Sequence, residues 1–207
     1  MIKFKFDVFD AKEYYRIMEK KMSIQEPELS FGDVHVIYGN GKNKTTTANG
    51  YVLRALGAGA SVLYVQFLKN GTSSELNVYS DLKDIGYSID MYYPSPTDFV
   101  YEKPNQTHVD TVRGSYRRAA EGVEDTTYDM VVCDEILYAY LFNLVCVNDI
   151  RSLIQKRHGE LELILTGNTD HEGITELSDY VSHLTCIEHK KHPFYTKNQT
   201  ARKGIEY

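Results

Sequence analysis

"VHVIYGNGKNKTTTANGYVLRALG", residues 34–57, holds the transition on which the fold turns. Val34 to Tyr38 make a short apolar run that reads as a buried strand, and residues 46–57 carry a helical pattern. Gly39 and Gly41 supply flexible backbone between the two. A strand passing through a glycine turn into a helix presents unpaired N–H groups and the positive end of the helix dipole, a setting suited to phosphate oxygens. The phosphate-loop pattern G-x-x-x-x-G-K-[ST] is not met to the letter, because Tyr38 and Asn43 stand where it asks for glycine. Asparagine is one of the few other residues that visits left-handed backbone routinely, so Asn43 is expected to substitute for that glycine conformationally. Lys44 would then add a mobile cation, and the Thr45 or Thr46 hydroxyl a ligand for Mg2+. The competing reading is a lysine-rich surface turn that merely caps a helix.

Apolar runs and helical patterns alternate outward from this unit. Residues 60–69, "ASVLYVQFLK", have the continuous apolar character of a central parallel strand, and 87–93 make a shorter strand candidate. Residues 108–125 and 149–159 read as helices, 128–136 and 161–168 as strands, and 173–187 as a segment that begins as a helix. The alternation predicts an α/β fold with an open, mostly parallel, doubly wound sheet of the P-loop NTPase type. Ligands bind such sheets at the carboxyl ends of the strands. Residues 9–22 read as an amphipathic helix followed by a linker, so 1–30 are expected to form an N-terminal helical arm and 31–207 the binding domain.

With 207 residues, 42% of them hydrophobic and 25% charged, the chain has the profile of a globular domain with a substantial core. A net charge of −6 argues against general affinity for nucleic acid or anionic membranes. Cys133, Cys146 and Cys186 are odd in number and widely spaced, which suggests buried thiols in a reducing cytoplasm rather than a disulfide framework or zinc site. No histidine pair has zinc spacing with a third ligand. Charges interrupt every apolar run near the N-terminus, and no stretch is long enough for a transmembrane helix.

"MVVCDEI", residues 130–136, ends an apolar strand in Asp134 and Glu135, the form of an acid that meets magnesium directly or through water beside nucleotide phosphates. Acids also end strands simply to reach solvent. The phosphate loop on another strand is what turns the pair toward Mg-nucleotide. Glu135 could orient water or act as a general base, and spacing does not choose between hydrolysis and transfer.

"VIYGNGKNKTTTANGYVLRALGAGASVLYVQFLK", "DMVVCDEILYAY", "LILTGNTDHEGITELSDYVSHL" and the terminal "HKKHPFYTKNQTARKGIEY" resemble, in order and spacing, the P-loop type ATP:corrinoid adenosyltransferases of the bacterial cobalamin pathway, over roughly residues 33–207. The resemblance implies a homodimer that transfers the 5′-deoxyadenosyl group of ATP to Co(I) of a reduced corrinoid and releases triphosphate. It implies ATP and corrinoid as substrates, Mg2+ as cofactor, and a flavoprotein reductant as partner. Because Co(I) is the nucleophile, the protein's contribution is positioning and electrostatics.

Carried over by position, Asn40, Gly41, Lys42, Lys44, Thr45 and Thr46 match the family's phosphate loop, with Asn43 in place of its glycine. Arg54 matches a basic residue on the following helix. Lys44 and Glu135 take the catalytic positions, Thr45 and Glu135 those of the metal ligands, and Gln66 falls in the family's VQF strand end. Phe99 and Tyr101 sit where the family has a Phe-x-Trp segment and are the candidates to cover the corrinoid's lower face. Asn168 replaces a usual arginine, and the chain has no tryptophan. A nucleotide hydrolase or kinase, or a binding module without turnover, are the alternatives.

Overall fold

The computed structural model describes residues 31–94, 103–169, 171–191 and 201–205, without the side chains of residues 171 and 172. Phe99 and Tyr101, and the expected arm over 1–30, lie outside the described residues. The elements run β1 (Val34–Tyr38), α1 (Lys44–Gly57), β2 (Val62–Gln66), α2 (Glu75–Asp84), β3 (Ile89–Tyr92), α3 (Gln106–Glu124) and β4 (Met130–Asp134). There follow α4 (Ile136–Leu141), α5 (Val147–Lys156), β5 (Glu162–Gly167), α6 (His171–Leu177), a 3-10 turn (Ser178–Tyr180) and β6 (His183–Cys186). The strands form one sheet in the order β3-β2-β4-β5-β1-β6, and every neighbouring pair is parallel.

Continuous apolar strands are what a sheet covered on both faces requires. Successive side chains leave a strand on opposite faces, so each central strand feeds two cores. Val34, Val36, Leu63, Val65, Val131, Leu163 and Leu165 pack on α3 to α6 through residues such as Val112, Ala119, Leu137, Leu153 and Leu177. Ile37, Val62, Tyr64, Val132 and Ile164 pack on α1 and α2 through Ala48, Val52, Leu56, Leu76 and Tyr79. Burying each Val- or Leu-sized side chain is worth about 1.5–3 kcal/mol, which is why the two cores, rather than surface pairs, fix the layers. Gly122 brings α3 down onto β2, since a Cβ there would collide with the side chain of Leu63. Substitution by a larger residue forces apart a contact at the centre of the core.

At the amino end of the sheet, polar residues on one face join three strands. His35 Nε2 lies 2.5 Å from Glu162 Oε1, and the other Glu162 oxygen accepts the N–H groups of Gly32 and Asp33 at 3.0 and 2.9 Å. His183, directly opposite His35 in the β1–β6 register, stacks on its ring at 4.3 Å and stands 3.0 Å from Asp33 Oδ2. Asp33, His35 and His183 are thus brought together although their sequence spacing gave no metal pattern. The two rings are within 12° of parallel, and parallel imidazoles cannot both aim in-plane lone pairs at one ion. Each imidazole instead has its own carboxylate, and the group clamps β6 to β1 and β1 to β5.

The segment 173–187 begins as a helix, as expected, and leaves it at Leu177; Ile174, Leu177, Val181 and Leu184 keep helical spacing, but His183–Cys186 pair with β1 as an exposed edge strand. One expectation is corrected. Cys133 is buried, but Cys146, at the N-terminus of α5, and Cys186, on that edge strand, are exposed. Among the described residues no helix is long and apolar enough to cross a membrane.

Candidate functional site

The loop between β1 and α1 lies at the carboxyl edge of the sheet. Asn43 has φ 85° and ψ 7°, the left-handed conformation expected for the residue in the glycine position. The loop does not hold its shape alone. Gly41 N–H donates to the Ile187 carbonyl (2.7 Å), Ile187 N–H to the Tyr38 carbonyl (2.8 Å) and Lys42 N–H to His189 Nε2 (2.8 Å). A Cβ at Gly41 would stand 2.5 Å from the Ile187 oxygen, so glycine is required where the chain leaving β6 crosses the loop. That support comes from the chain just beyond the edge strand β6.

α1 then begins without a side-chain cap and without an acid in its first turn. Its first backbone N–H groups lack intrahelical acceptors, and its dipole points its positive end at the loop. A cleft of about 450 Å³ opens here, with Lys69, Asn49, Ser73 and Glu75 on its walls, beside a smaller lobe of about 160 Å³ over Gly41 to Thr46. Thr45, Thr46, Glu135 and Ile205 line both.

Four charged groups meet on this floor. Asp134 is fully buried, and Lys69 Nζ donates to its Oδ2 at 2.5 Å. The Thr45 and Thr166 hydroxyls donate to its Oδ1 at 2.9 and 2.8 Å. Burial pushes the Asp134 carboxyl up, but the Lys69 charge and these hydrogen bonds outweigh it and hold the group below the usual range. Lys69 is the converse: burial lowers it, yet Asp134 and Glu135 hold it above the usual lysine value. This pair is ionised and satisfied.

The other two are not. Lys44 folds back to donate to the Gly41 carbonyl at 2.7 Å, and burial, only partly offset by Glu135 and Asp134, lowers its pKa. Glu135 is half-buried in left-handed backbone (φ 67°) that its N–H, donating to Thr166 Oγ1 at 3.0 Å, helps fix. Its carboxylate has no hydrogen-bond donor among the described residues, and burial pushes its pKa up. A cation is what such a group lacks. Glu135 and the Thr45 hydroxyl are hard oxygen donors of the kind Mg2+ takes, so the residues present fit that ion.

Of the loop residues, Gly41, Lys42, Asn43, Lys44, Thr45 and Thr46 line the cleft, whereas Asn40 is exposed outside it. Arg54 is not brought in. It lies exposed in the last turn of α1, about 15 Å along the helix axis from Lys44 at 1.5 Å per residue. Thr45 bonds to Asp134 rather than to Glu135, so the acid nearest the hydroxyl is the one before it in sequence. Lys69 and Thr166 were missed as site residues, and the only signal was a lysine and a threonine at the ends of apolar runs. Gln66 is buried at the end of β2, with its Nε2 donating to Ser73 at 3.3 Å.

The model of the family described as ATP:corrinoid adenosyltransferase BtuR/CobO/CobP matches residues 30–207. The chain is 32% identical to the "Corrinoid adenosyltransferase CobA" of Salmonella typhimurium over 85% of this chain and 86% of that one. It is 31% identical to the corrinoid adenosyltransferase of Escherichia coli, covering 93% and 94%, and 26% identical to that of Pseudomonas aeruginosa, covering 92% and 93%. Among solved structures, a RadB recombinase overlaps 67% of this chain and 63% of its own at 16% identity and a TM-score of 0.38. With a family model spanning nearly the whole described domain and relatives of this likeness over most of their length, the chain belongs to the ATP:corrinoid adenosyltransferase family.

Proposed function

We propose that this protein transfers the 5′-deoxyadenosyl group of ATP to the cobalt of a reduced corrinoid and releases triphosphate. The observation that carries the reading is the uncapped N-terminus of α1, entered through left-handed Asn43, opening into a cleft that holds Lys44 and the unsatisfied Glu135. The backbone N–H groups of the first turn, Lys42 and Lys44 bind the phosphates. The substrate's Co(I) supplies the electron pair of the new cobalt–carbon bond at C5′. The bond between C5′ and the α-phosphate oxygen breaks, and its electrons leave on triphosphate. Lys44 and the helix N-terminus favour that charge where it develops.

Mg2+, when bound, would neutralise phosphate charge and orient the chain of phosphates, with Thr45 and Glu135 as its protein ligands. Phe99 and Tyr101 are proposed, from the sequence alone, to cover the corrinoid's lower face. A homodimer, a flavoprotein reductant and a cytoplasmic location complete the reading by family analogy. The test is to incubate the protein with MgATP and chemically reduced corrinoid and record the ultraviolet-visible spectrum. Alkylated cobalt is the expected product. Absence of alkylation, with ADP and phosphate accumulating, would replace the reading with nucleotide hydrolysis.

A further inference from the structure

Lys69 holds the corner that a divalent ion needs. Its ammonium donates to Thr45 Oγ1 at 3.1 Å and to Asp134 Oδ2 at 2.5 Å, while Thr45 spends its own proton on Asp134. A hydroxyl has one proton and two acceptor sites, so a metal at Thr45 must stand beside this ammonium or displace it. Two cations at that separation repel strongly in a partly buried site. Asp134 already takes three donors on its two oxygens, whereas the Glu135 carboxylate takes none among the described residues.

Resting on the proposed nucleotide reading, we propose that Lys69 is a built-in cation of the phosphate site that bars the divalent ion from binding alone and yields Thr45 only when a polyphosphate arrives with the metal. The triphosphate supplies the negative charge that lets both cations coexist, and the Lys69 ammonium, already on the cleft wall, turns from Thr45 to a phosphate oxygen. Lys69 acts on the metal through Thr45 and Asp134 and is therefore a positioning residue. The arrangement makes the site select the metal–nucleotide complex over its parts. It also keeps the buried Asp134 charge paired while the cleft is empty of ligand.

The test uses Mn2+ as the probe and the full chain at pH 8, with free Mn2+ read by electron paramagnetic resonance. The wild type should bind Mn2+ at least tenfold more weakly alone than in the presence of tripolyphosphate. Lys69→Met should bind Mn2+ alone at least tenfold more tightly than the wild type, and Lys69→Arg, which keeps the charge, should not. A folded Lys69→Met protein with wild-type affinity for Mn2+ alone overturns the proposal. Should that variant fail to fold, the wild-type comparison decides: equal Mn2+ affinity with and without tripolyphosphate overturns it. Failure of the adenosyl-transfer reading would appear separately, as no cobalt alkylation, and leaves these Mn2+ affinities to be read by themselves.

Discussion

The two ends of the sheet hold charged groups on neighbouring strands and treat them differently. At the amino end, Glu162, His35, His183 and Asp33 pair off, and the Glu162 carboxylate also takes two backbone N–H groups. At the carboxyl end, Asp134 and Lys69 are matched, while Lys44 has only a loop carbonyl and Glu135 has no donor among the described residues. Backbone strain leans the same way: of the four non-glycine residues with positive φ among the described residues, Asn43, Leu68 and Glu135 lie on the chain leaving β1, β2 and β4, and the fourth, Asn143, follows α4. Strain and unmet charge persist only where the surrounding packing over-determines them, and they gather where a ligand is to complete the set. The same strands thus end in a clamp on one side and a site on the other.

Removing a member of the satisfied pair at the carboxyl end should cost most. Asp134→Ala leaves the Lys69 ammonium partly buried without its carboxylate, and about 3–5 kcal/mol of stability should be lost in urea denaturation. Glu135→Gln, one residue on, should lose none. The Glu135 carboxyl titrates above its ordinary value when folded, so its charge opposes folding at neutral pH, and the amide should match the wild type or exceed it by about 1 kcal/mol. Equal losses for the two variants would erase the distinction between matched and unmatched acids.

Next in size is Lys44→Ala, which removes a charge-assisted phosphate contact. ATP should bind about 1.5–3 kcal/mol more weakly by calorimetry, roughly tenfold to a hundredfold, with little change in the melting temperature. Asn43→Val should cost about 1–2 kcal/mol through left-handed strain and damage nucleotide binding, whereas Asn43→Gly should preserve it. Indistinguishable glycine and valine variants would mean that the loop relaxes out of this conformation.

The amino end should show the smallest effect, and only in acid. Hydrogen bonding to His183 and Ser182 holds the Asp33 carboxyl below its ordinary 3.8. Burial pushes Glu162 up, but His35 and the backbone N–H groups bring it below its ordinary 4.5. The stability these carboxylates contribute is therefore present in full above those ordinary values and is lost as pH falls through the lower folded ones. Glu162→Gln should flatten the decline in thermal stability below about pH 4.5 and leave nucleotide affinity unchanged.

The β1–loop–α1 unit was legible because its information is local: an apolar run, two glycines, and an asparagine able to take left-handed backbone. β6 was not, since Val181 and Leu184 continue a helical spacing from Ile174 and Leu177, and only pairing with β1 makes the segment a strand. The Lys69–Asp134 pair is separated by 65 residues and depends on β2 lying beside β4, with Gln66 opposite Asp134. Nothing in the order of elements announces that adjacency. Arg54 shows the opposite case, a residue taken from the family resemblance that stands exposed in the last turn of α1, away from the cleft.

The central claim is that the unmatched charges at the carboxyl end serve to hold the triphosphate of ATP while its C5′ is transferred to cobalt. Phosphorus-31 magnetic resonance of the protein turning over MgATP with chemically reduced corrinoid reads this directly. The account predicts inorganic triphosphate, its three phosphorus atoms still linked, accumulating in step with the adenosylated corrinoid, and no ADP. Signals of ADP and orthophosphate, with the corrinoid unchanged, would contradict it.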